Sequence, residues 1–408
     1  MKNKYAALKI IKILRSNGFE ALLAGGCVRD MLLKRPAKDF DVATNAKPKD
    51  IIKLFKRTLK VGAKFGVVIV LLEGKQIEVA TFRTEAGYTD GRHPSNVEFT
   101  TASADAARRD FTINGMFYDP ITDKIIDYVN GKADLKKKII RTIGSPAARF
   151  KEDYLRMLRA IRFAAQLDFK IDPKTFSAIC SNAKNITKIS GERIAAELQG
   201  TLACSSRSTG VSLLVESGLA SAIFENFTAK HAKSAVKVLA QLPKQTDSPL
   251  ALAAFFVDWP TELALEKSRL LKLSRNQNKH VKFLLTNRGK LLDENMSLAQ
   301  LKILLAKPYF ADLYELQRAI QKADPKGRKG LAALRKLKKR IKDLGDVELK
   351  PDPLLNGHDL IKLGAVPGPA LGQLAKEMYI AQLEGTLKTK TAARKWAQNW
   401  LQNHKNMI

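Results

Sequence analysis

Residues 22–44 read LLAGGCVRDMLLKRPAKDFDVAT, and the local structure and the chemistry of the chain's N-terminal part can be read outward from them. Ala21 to Ala24 has the apolar character of a short strand and runs into Gly25-Gly26, after which Val28 to Leu33 takes up helical spacing. A glycine pair at a strand-to-helix junction makes a turn without Cβ atoms, so backbone N–H groups at the helix start can approach phosphate oxygens. Arg29, one turn into that helix, is placed to pair with the same phosphates. Taken alone, Gly-Gly is equally the composition of a plain tight turn. Phe40 to Ala43 forms a second strand, in which Asp39 and Asp41, two residues apart, share one face while Phe40 faces the core. Two carboxylates that close repel each other in a half-buried setting unless cations sit between them. Their hard oxygens suit Mg²⁺, and metals ~3.5–4 Å apart would activate a hydroxyl and stabilise leaving pyrophosphate. The alternative is a solvated strand end, and the phosphate-cradling turn upstream favours the metal.

The flanking sequence continues the alternation. Tyr5 to Leu14 is a helix stopped by Asn17-Gly18, and Pro48 to Phe55 is another. Gly66 to Leu72 and Gln76 to Phe82 are β-branched runs joined through Glu73-Gly74-Lys75, an antiparallel hairpin. Glu78 lies on its second strand, either as a third carboxylate of the metal site or as an outward-facing strand residue. Thr84 to Asn96 is polar without strong periodicity, which predicts a loop. In DAARRDFTINGMFYDP, residues 105–120, Arg109 can clamp a triphosphate bidentately, while Asp110 and Asn114 suit ribose hydroxyls. A capped helix start with a charged solvated face is the other reading of that segment.

From Phe150 onward long helical patterns replace strands: Glu152 to Gln166, Pro173 to Asn182, Gly191 to Leu202, Ser206 to Ser217 and more beyond. The fold class is therefore α+β, a small α/β head followed by an all-helical body. In FKEDYLRMLRAIRFAAQLDF, residues 150–169, Asp153 and Arg156 are three apart and are helix neighbours, with Arg159 and Arg162 fanned further round. A carboxylate only accepts hydrogen bonds and a guanidinium only donates them. Together they match a base edge with an exocyclic amino group beside a bare ring nitrogen, as in cytosine and adenine, and mismatch uracil and guanine, each good pairing being worth ~1–3 kcal/mol. An intrahelical salt bridge on a solvated face is the alternative.

Composition narrows the partners. The 408 residues carry 71 Lys+Arg against 40 Asp+Glu, a formal net charge of +31, with 45% hydrophobic residues. That excludes wholesale disorder and points to a polyanion, nucleic acid before anionic membrane. Cys27, Cys180 and Cys204 are too scattered for a disulfide framework or thiolate cluster and are expected free. Lysines interrupt the apolar N-terminal stretch, and the longest apolar runs, Val67 to Leu72 and Pro249 to Val257, fall short of the ~20 residues a bilayer requires. A cytoplasmic protein without a membrane partner is expected. The basic helix Leu331 to Lys342 is either a solvated amphipathic face or a surface for nucleic-acid phosphates, and the net charge favours the second. His358-Asp359 invites a metal-phosphohydrolase reading, rejected because His93, His231, His280 and His404 lack ligand spacing and Val257 precedes Asp258.

Three segments in one order, GGCVRDMLLKRPAKDFDVAT, RRDFTING and EDYLRMLRAIRF, resemble the class II tRNA nucleotidyltransferase and bacterial poly(A) polymerase family, over roughly residues 20–165. Weaker similarity in GERIAAELQGTL and LLVESGLASAIF extends it to about 225. The resemblance implies a nucleotidyltransferase head over 1–146, a helical neck over 147–222 and an RNA-binding body and tail over 223–408. It implies Mg²⁺-dependent addition of nucleotides from CTP and ATP to an RNA 3′ end, tRNA foremost. By motif match Asp39 and Asp41 would hold the metal, Gly25, Gly26, Arg29 and Arg109 would surround the nucleotide, and Asp153, Arg156, Arg159 and Arg162 would select it. VGAKFGVVIV and the loop-like TFRTEAGYTDGRHPSNVEF are similar to CCA- or A-adding members; MFYDPITDKIIDYVNGKADL and the basic C-terminal half have the flavour of poly(A) polymerases. A catalytically inactive RNA-binding protein is the rival from another class, against which the intact aspartates argue.

Overall fold

The structure, a computed structural model, describes residues 2–37, 39–60, 62–88 and 94–404. The chain begins with helix α1 (Lys2–Ser16), whose Ala6, Ala7, Ile10, Ile11 and Leu14 recur at helical spacing and are fully buried. Strand β1 (Ala21–Ala24) is buried at all four positions, helix α2 (Gly26–Leu32) follows the glycine turn, and β2 (Asp41–Thr44) runs antiparallel to β1 with Asp41 opposite Ala24. Asp39 precedes the strand rather than lying in it. After α3 (Pro48–Leu54) and the short β3 (Thr58–Leu59) comes the expected hairpin of β4 (Val67–Leu72) and β5 (Lys75–Thr81). Glu73 (φ 52) and Gly74 (φ 73) are both left-handed at its turn, the backbone twist that two-residue hairpins require.

The segment expected to be a loop pairs instead. β6 (Arg83–Tyr88) and β7 (Pro94–Phe99) form an antiparallel ribbon with Arg83 opposite Phe99 and Glu85 opposite Val97; residues 89–93 of the predicted loop lie outside the described residues. Its polar strands gain order from main-chain pairing, which a hydrophobic pattern does not announce. Helix α4 (Ala102–Ala107) follows, then β8 (Phe117–Asp119) and β9 (Lys124–Ile126), two further strands that no periodicity foretold. The main sheet has the order β3-β4-β5-β2-β1-β8-β9. On one of its faces Phe82 and Phe117 meet edge to face at 5.9 Å, within a cluster that includes Leu22, Ala24, Ala43 and Ala106.

Helices then take over: α5 (Gly131–Lys137), α6 (Pro146–Glu152), α7 (Leu155–Leu167), α8 (Pro173–Asn182) and α9 (Gly191–Leu202). The expected single helix over 152–166 is broken at Asp153, whose backbone is extended (φ −153, ψ 105) and whose Oδ1 accepts the Leu155 N–H at 3.0 Å. An aspartate that caps the next helix with its own carboxylate competes with helix continuation.

The chain divides into two compact units, one comprising Met1–Val236, Lys244–Ser248 and Glu266–Leu273, the other Lys237–Pro243, Pro249–Leu265 and Ser274–Ile408. The second unit is helical; its C-terminal part has a core of its own around Leu355, Leu360, Leu374, Met378, Ala397 and Trp400. Among the described residues no helix is long and apolar enough to cross a membrane, and all three cysteines are free.

Gly131 sits where a Cβ would meet the Thr112 carbonyl oxygen at 2.3 Å and Met116 Cγ at 2.8 Å. Gly131→Ala should therefore lower stability by about 1–3 kcal/mol, read as a fall in Tm by differential scanning calorimetry.

Candidate active site

A cleft of about 480 Å³ in the first unit is lined by Gly25, Gly26, Arg29, Asp41, Arg109, Asp110, Asn114, Asp153, Arg156 and Arg159, together with Arg108, Leu155, Phe163 and Arg193. The glycine turn, the RRD segment and the α6–α7 junction, far apart in sequence, thus form one wall. Gly25 is left-handed (φ 74), a conformation that favours glycine, and a Cβ there would also stand in tight contact, 3.0 Å, with Arg109 Nη1.

Each arginine is held by a carboxylate. Asp105, 1% exposed, takes Arg108 on Oδ1 (2.8 and 2.6 Å) and Arg109 on Oδ2 (3.1 and 2.9 Å). Burial alone would raise its pKa, but the two guanidinium groups outweigh that and hold it below the usual carboxylate range. Asp110 Oδ2 accepts Arg159 Nε and Nη2 at 2.9 and 2.6 Å, and Oδ1 accepts the Phe111 N–H and Asn114 Nδ2. Its pKa too stays low, Arg159 overcoming burial. Asn114 Oδ1 in turn accepts Arg29 Nη1 at 2.8 Å, and Arg29 Nε donates to Asp30. Asp110 and Asn114 therefore line the cleft with their polar atoms already engaged by the protein.

The intrahelical salt bridge between Asp153 and Arg156, the alternative to base reading, is not formed, because the chain breaks between α6 and α7. Asp153 Oδ2 accepts Arg193 Nη2 at 2.6 Å, while Arg156 Nη1 donates to Glu152 Oε2 at 2.5 Å and to the Arg149 carbonyl at 2.9 Å. Arg149 itself donates to the carbonyls of Arg108 and Arg109. Arg162 does not line the cleft; it stands 3.0 Å from Glu197, whose pKa burial raises.

A second cavity, about 450 Å³, shares Asp41 with the first and is lined by Asp39, Phe40, Asp41, Gln76 and Glu78, with Asn3 and Ile69. The parallel register of β2 on β5, Val42 opposite Val79, puts Asp41 and Glu78 side by side on one face. Burial first, then the charge of Glu78, push the Asp41 carboxyl up to about 6, with Asp39 adding and Arg109 opposing. Hard oxygen donors that destabilise one another's charge fit a divalent cation. Among the described residues no three His, Cys, Asp or Glu side chains close into a complete metal site by themselves.

Cations on one side of Asp41 and carboxylates on the other are what transfer of a nucleotide from its triphosphate demands, which makes the chain a nucleotidyltransferase of the polymerase-head class. The profile of the Poly A polymerase head domain matches residues 21–141, and that of the probable RNA and SrmB-binding site of polymerase A matches 168–231. The CCA-adding enzyme of Lactobacillus johnsonii is 34% identical over 393 residues, 95% of either chain. The crystal structure of the Bacillus stearothermophilus CCA-adding enzyme in complex with CTP superposes with a TM-score of 0.81 at 29% identity over 100% of both chains. The Thermotoga maritima CCA-adding enzyme complexed with tRNA shares the fold, with a TM-score of 0.66 at 21% identity over 98% of this chain and 95% of its own. The chain belongs to the family of CCA-adding enzymes.

Sequence reasoning passed over Asp105, Arg149, Glu152 and Arg193. For Asp105 the signal was present, an aspartate on α4 three and four residues before two arginines just past the helix end. Asp105→Asn should cost roughly 3–5 kcal/mol at pH 7, because two part-buried arginines lose their counter-charge. The folded-state pKa is depressed, so Asp105's ionic contribution is present above its unfolded value and is lost as pH falls through the lower folded one. Urea unfolding between pH 7 and 2 should show that loss in the wild type and a shallower acid dependence in the variant.

Proposed function

We propose that this protein completes tRNA by adding CMP, CMP and AMP to its 3′ end from CTP and ATP without a nucleic-acid template, releasing pyrophosphate. One observation carries the reading: a hydrogen-bond acceptor, Asp153, and a donor, Arg156, line the same cleft as the phosphate-facing Gly25, Gly26, Arg29 and Arg109. Each carboxylate oxygen of Asp153 accepts one protein donor and retains a lone pair, so it can accept the exocyclic amino group of cytosine or adenine while Arg156 donates to the ring nitrogen. Uracil and guanine present carbonyl and N–H in those places and leave both side chains unmatched. Arg159, fixed by Asp110, supports the same edge. Asp110 and Asn114, which their sequence context suits to ribose hydroxyls, act here by orienting Arg159 and Arg29, the Asp110 carboxylate being fully engaged by the protein.

The RNA 3′-hydroxyl attacks the α-phosphate in line, and pyrophosphate leaves toward Arg29 and Arg109, which take up its charge. Asp39 and Asp41, with Glu78 alongside, would hold Mg²⁺, which when bound activates the hydroxyl and neutralises the triphosphate. No protein general base is assigned. In this reading residues 1–146 are the head, 147–222 the neck, and 223–408 the RNA-binding body and tail, working in the cytoplasm where tRNA is matured. The helix Arg328–Asp343 exposes Arg328, Lys329, Arg335, Lys336, Lys338, Lys339 and Lys342 and supplies part of the track for tRNA phosphates.

The purified chain, offered tRNA lacking CCA, tRNA ending in CC and an unstructured oligomer, should extend the first with CTP plus ATP and the second with ATP alone; a long A tract on the oligomer would mark a poly(A) polymerase. Asp41→Ala should abolish addition while tRNA binding persists. Replacing Arg335, Lys338 and Lys339 by Gln should weaken tRNA binding and flatten its salt dependence by roughly 0.7–0.9 in log K per log salt for each phosphate no longer neutralised, measured by filter binding.

A further inference from the structure

We propose that Phe163 is a positioning residue for nucleotide binding, its ring serving as the shared platform on which guanidinium groups of α2 and α7 are packed. The guanidinium carbons of Arg29, Arg159 and Arg162 stand 5.2, 5.3 and 4.6 Å from its centroid. Phe163 is 7% exposed and lines the cleft, and Phe111 meets its ring edge to face at 5.8 Å and 82°. Arg109 lies over Phe117 in the same manner, 5.0 Å from that centroid.

Three like charges around one ring repel each other, and flexible arginines left to themselves would disperse into water. Two things oppose dispersal here. The carboxylates of Asp30, Asp110 and Glu197 neutralise Arg29, Arg159 and Arg162 from outside the cluster. The ring's negative face attracts cations from inside it, most strongly where water is excluded. Arg159 and Arg162 share α7 with Phe163, so only Arg29 has to be brought in from a separate element. Phe163 is therefore where the phosphate-facing Arg29 of α2 and the base-facing Arg159 of α7 acquire one fixed geometry, with Arg162, outside the cleft lining, packed on the same ring. An aliphatic side chain of similar volume would fill the space without attracting the cations.

This assignment rests on the nucleotide-addition reading for the ligand's identity, so its test includes a readout that does not need turnover. Phe163→Leu, Phe163→Tyr and a series with mono-, di- and trifluorinated phenylalanine at 163 are compared for Tm, for Kd of CTP and ATP, and for kcat and KM on tRNA lacking CCA. Leucine should raise Kd and KM about tenfold, with kcat changed less and the CTP over UTP preference reduced, the effect expected when a desolvated cation–π attraction is removed. Tyrosine should behave as the wild type, and log Kd should climb with each fluorine while Tm stays level. Wild-type affinity in the leucine variant, or a flat fluorination series, would overturn the proposal; the series decides even if leucine compromises folding. Wild-type chain that binds CTP and ATP but extends no tRNA would refute the functional reading, while the slope in Kd would still judge Phe163.

Discussion

The ion pair between Asp110 and Arg159 is the interaction on which the cleft depends. Asp110 is largely buried and accepts four hydrogen bonds, two of them from one guanidinium, so its carboxylate has no capacity left and no freedom to turn. Asn114, fixed by the same carboxylate, presents its oxygen to Arg29. A chain of hydrogen bonds thus runs from Arg159 on α7 through Asp110 and Asn114 to Arg29 on α2. Breaking it would leave a buried charge without its partner, which costs several kcal/mol, so Arg159 and Arg29 are fixed together.

The same economy explains why so many arginines can line one wall. Asp105 serves two, Glu152 serves Arg149 and Arg156, and Glu197 stands between Arg159 and Arg162. These carboxylates neutralise the wall enough for it to fold, yet they lie behind it and leave the cleft side positive. In the proposed reaction a triphosphate would complete the neutralisation. Across Asp41 the arrangement is inverted: burial first, and then the neighbouring charge of Glu78, push the Asp41 carboxyl up to about 6. A site that is over-positive on one side and over-negative on the other is preorganised for a nucleotide and a cation, which brings the cost of assembling it forward into folding. The helix Arg328–Asp343 carries eight Lys and Arg against one Asp, a net +7 of the formal surplus of +31.

Much of this is legible in the sequence because it is local. The glycine pair marks the strand-to-helix turn, the β-branched runs either side of Glu73-Gly74-Lys75 form the expected hairpin, and α8 and α9 have the bounds that their periodicity predicts. The three motifs converge on one cleft as the resemblance implies. What escapes is non-local. The neighbour of Asp41 is decided by the β2–β5 register, which no pattern within either strand specifies. The partners of Asp153 and Arg156 differ from those their spacing suggests because a capping aspartate and a helix-interior aspartate have the same spacing, and only the backbone break at 153 distinguishes them. The β6–β7 ribbon has the sequence of a loop because its strands are polar and owe their order to each other.

Selection of the incoming nucleotide by protein side chains that a buried ion pair holds in place is the claim that everything else serves. It is tested most directly by the ratio of kcat/KM for CTP to that for UTP on tRNA lacking CCA, compared between the wild type and Asp110→Asn, a change that removes the charge and keeps the shape. Because Asp110 reaches the base only through Arg159, discrimination should fall by about tenfold or more in the variant, a charge-assisted hydrogen bond being worth ~1.5–3 kcal/mol, while the chain stays folded and binds tRNA. Discrimination equal to that of the wild type would contradict the account.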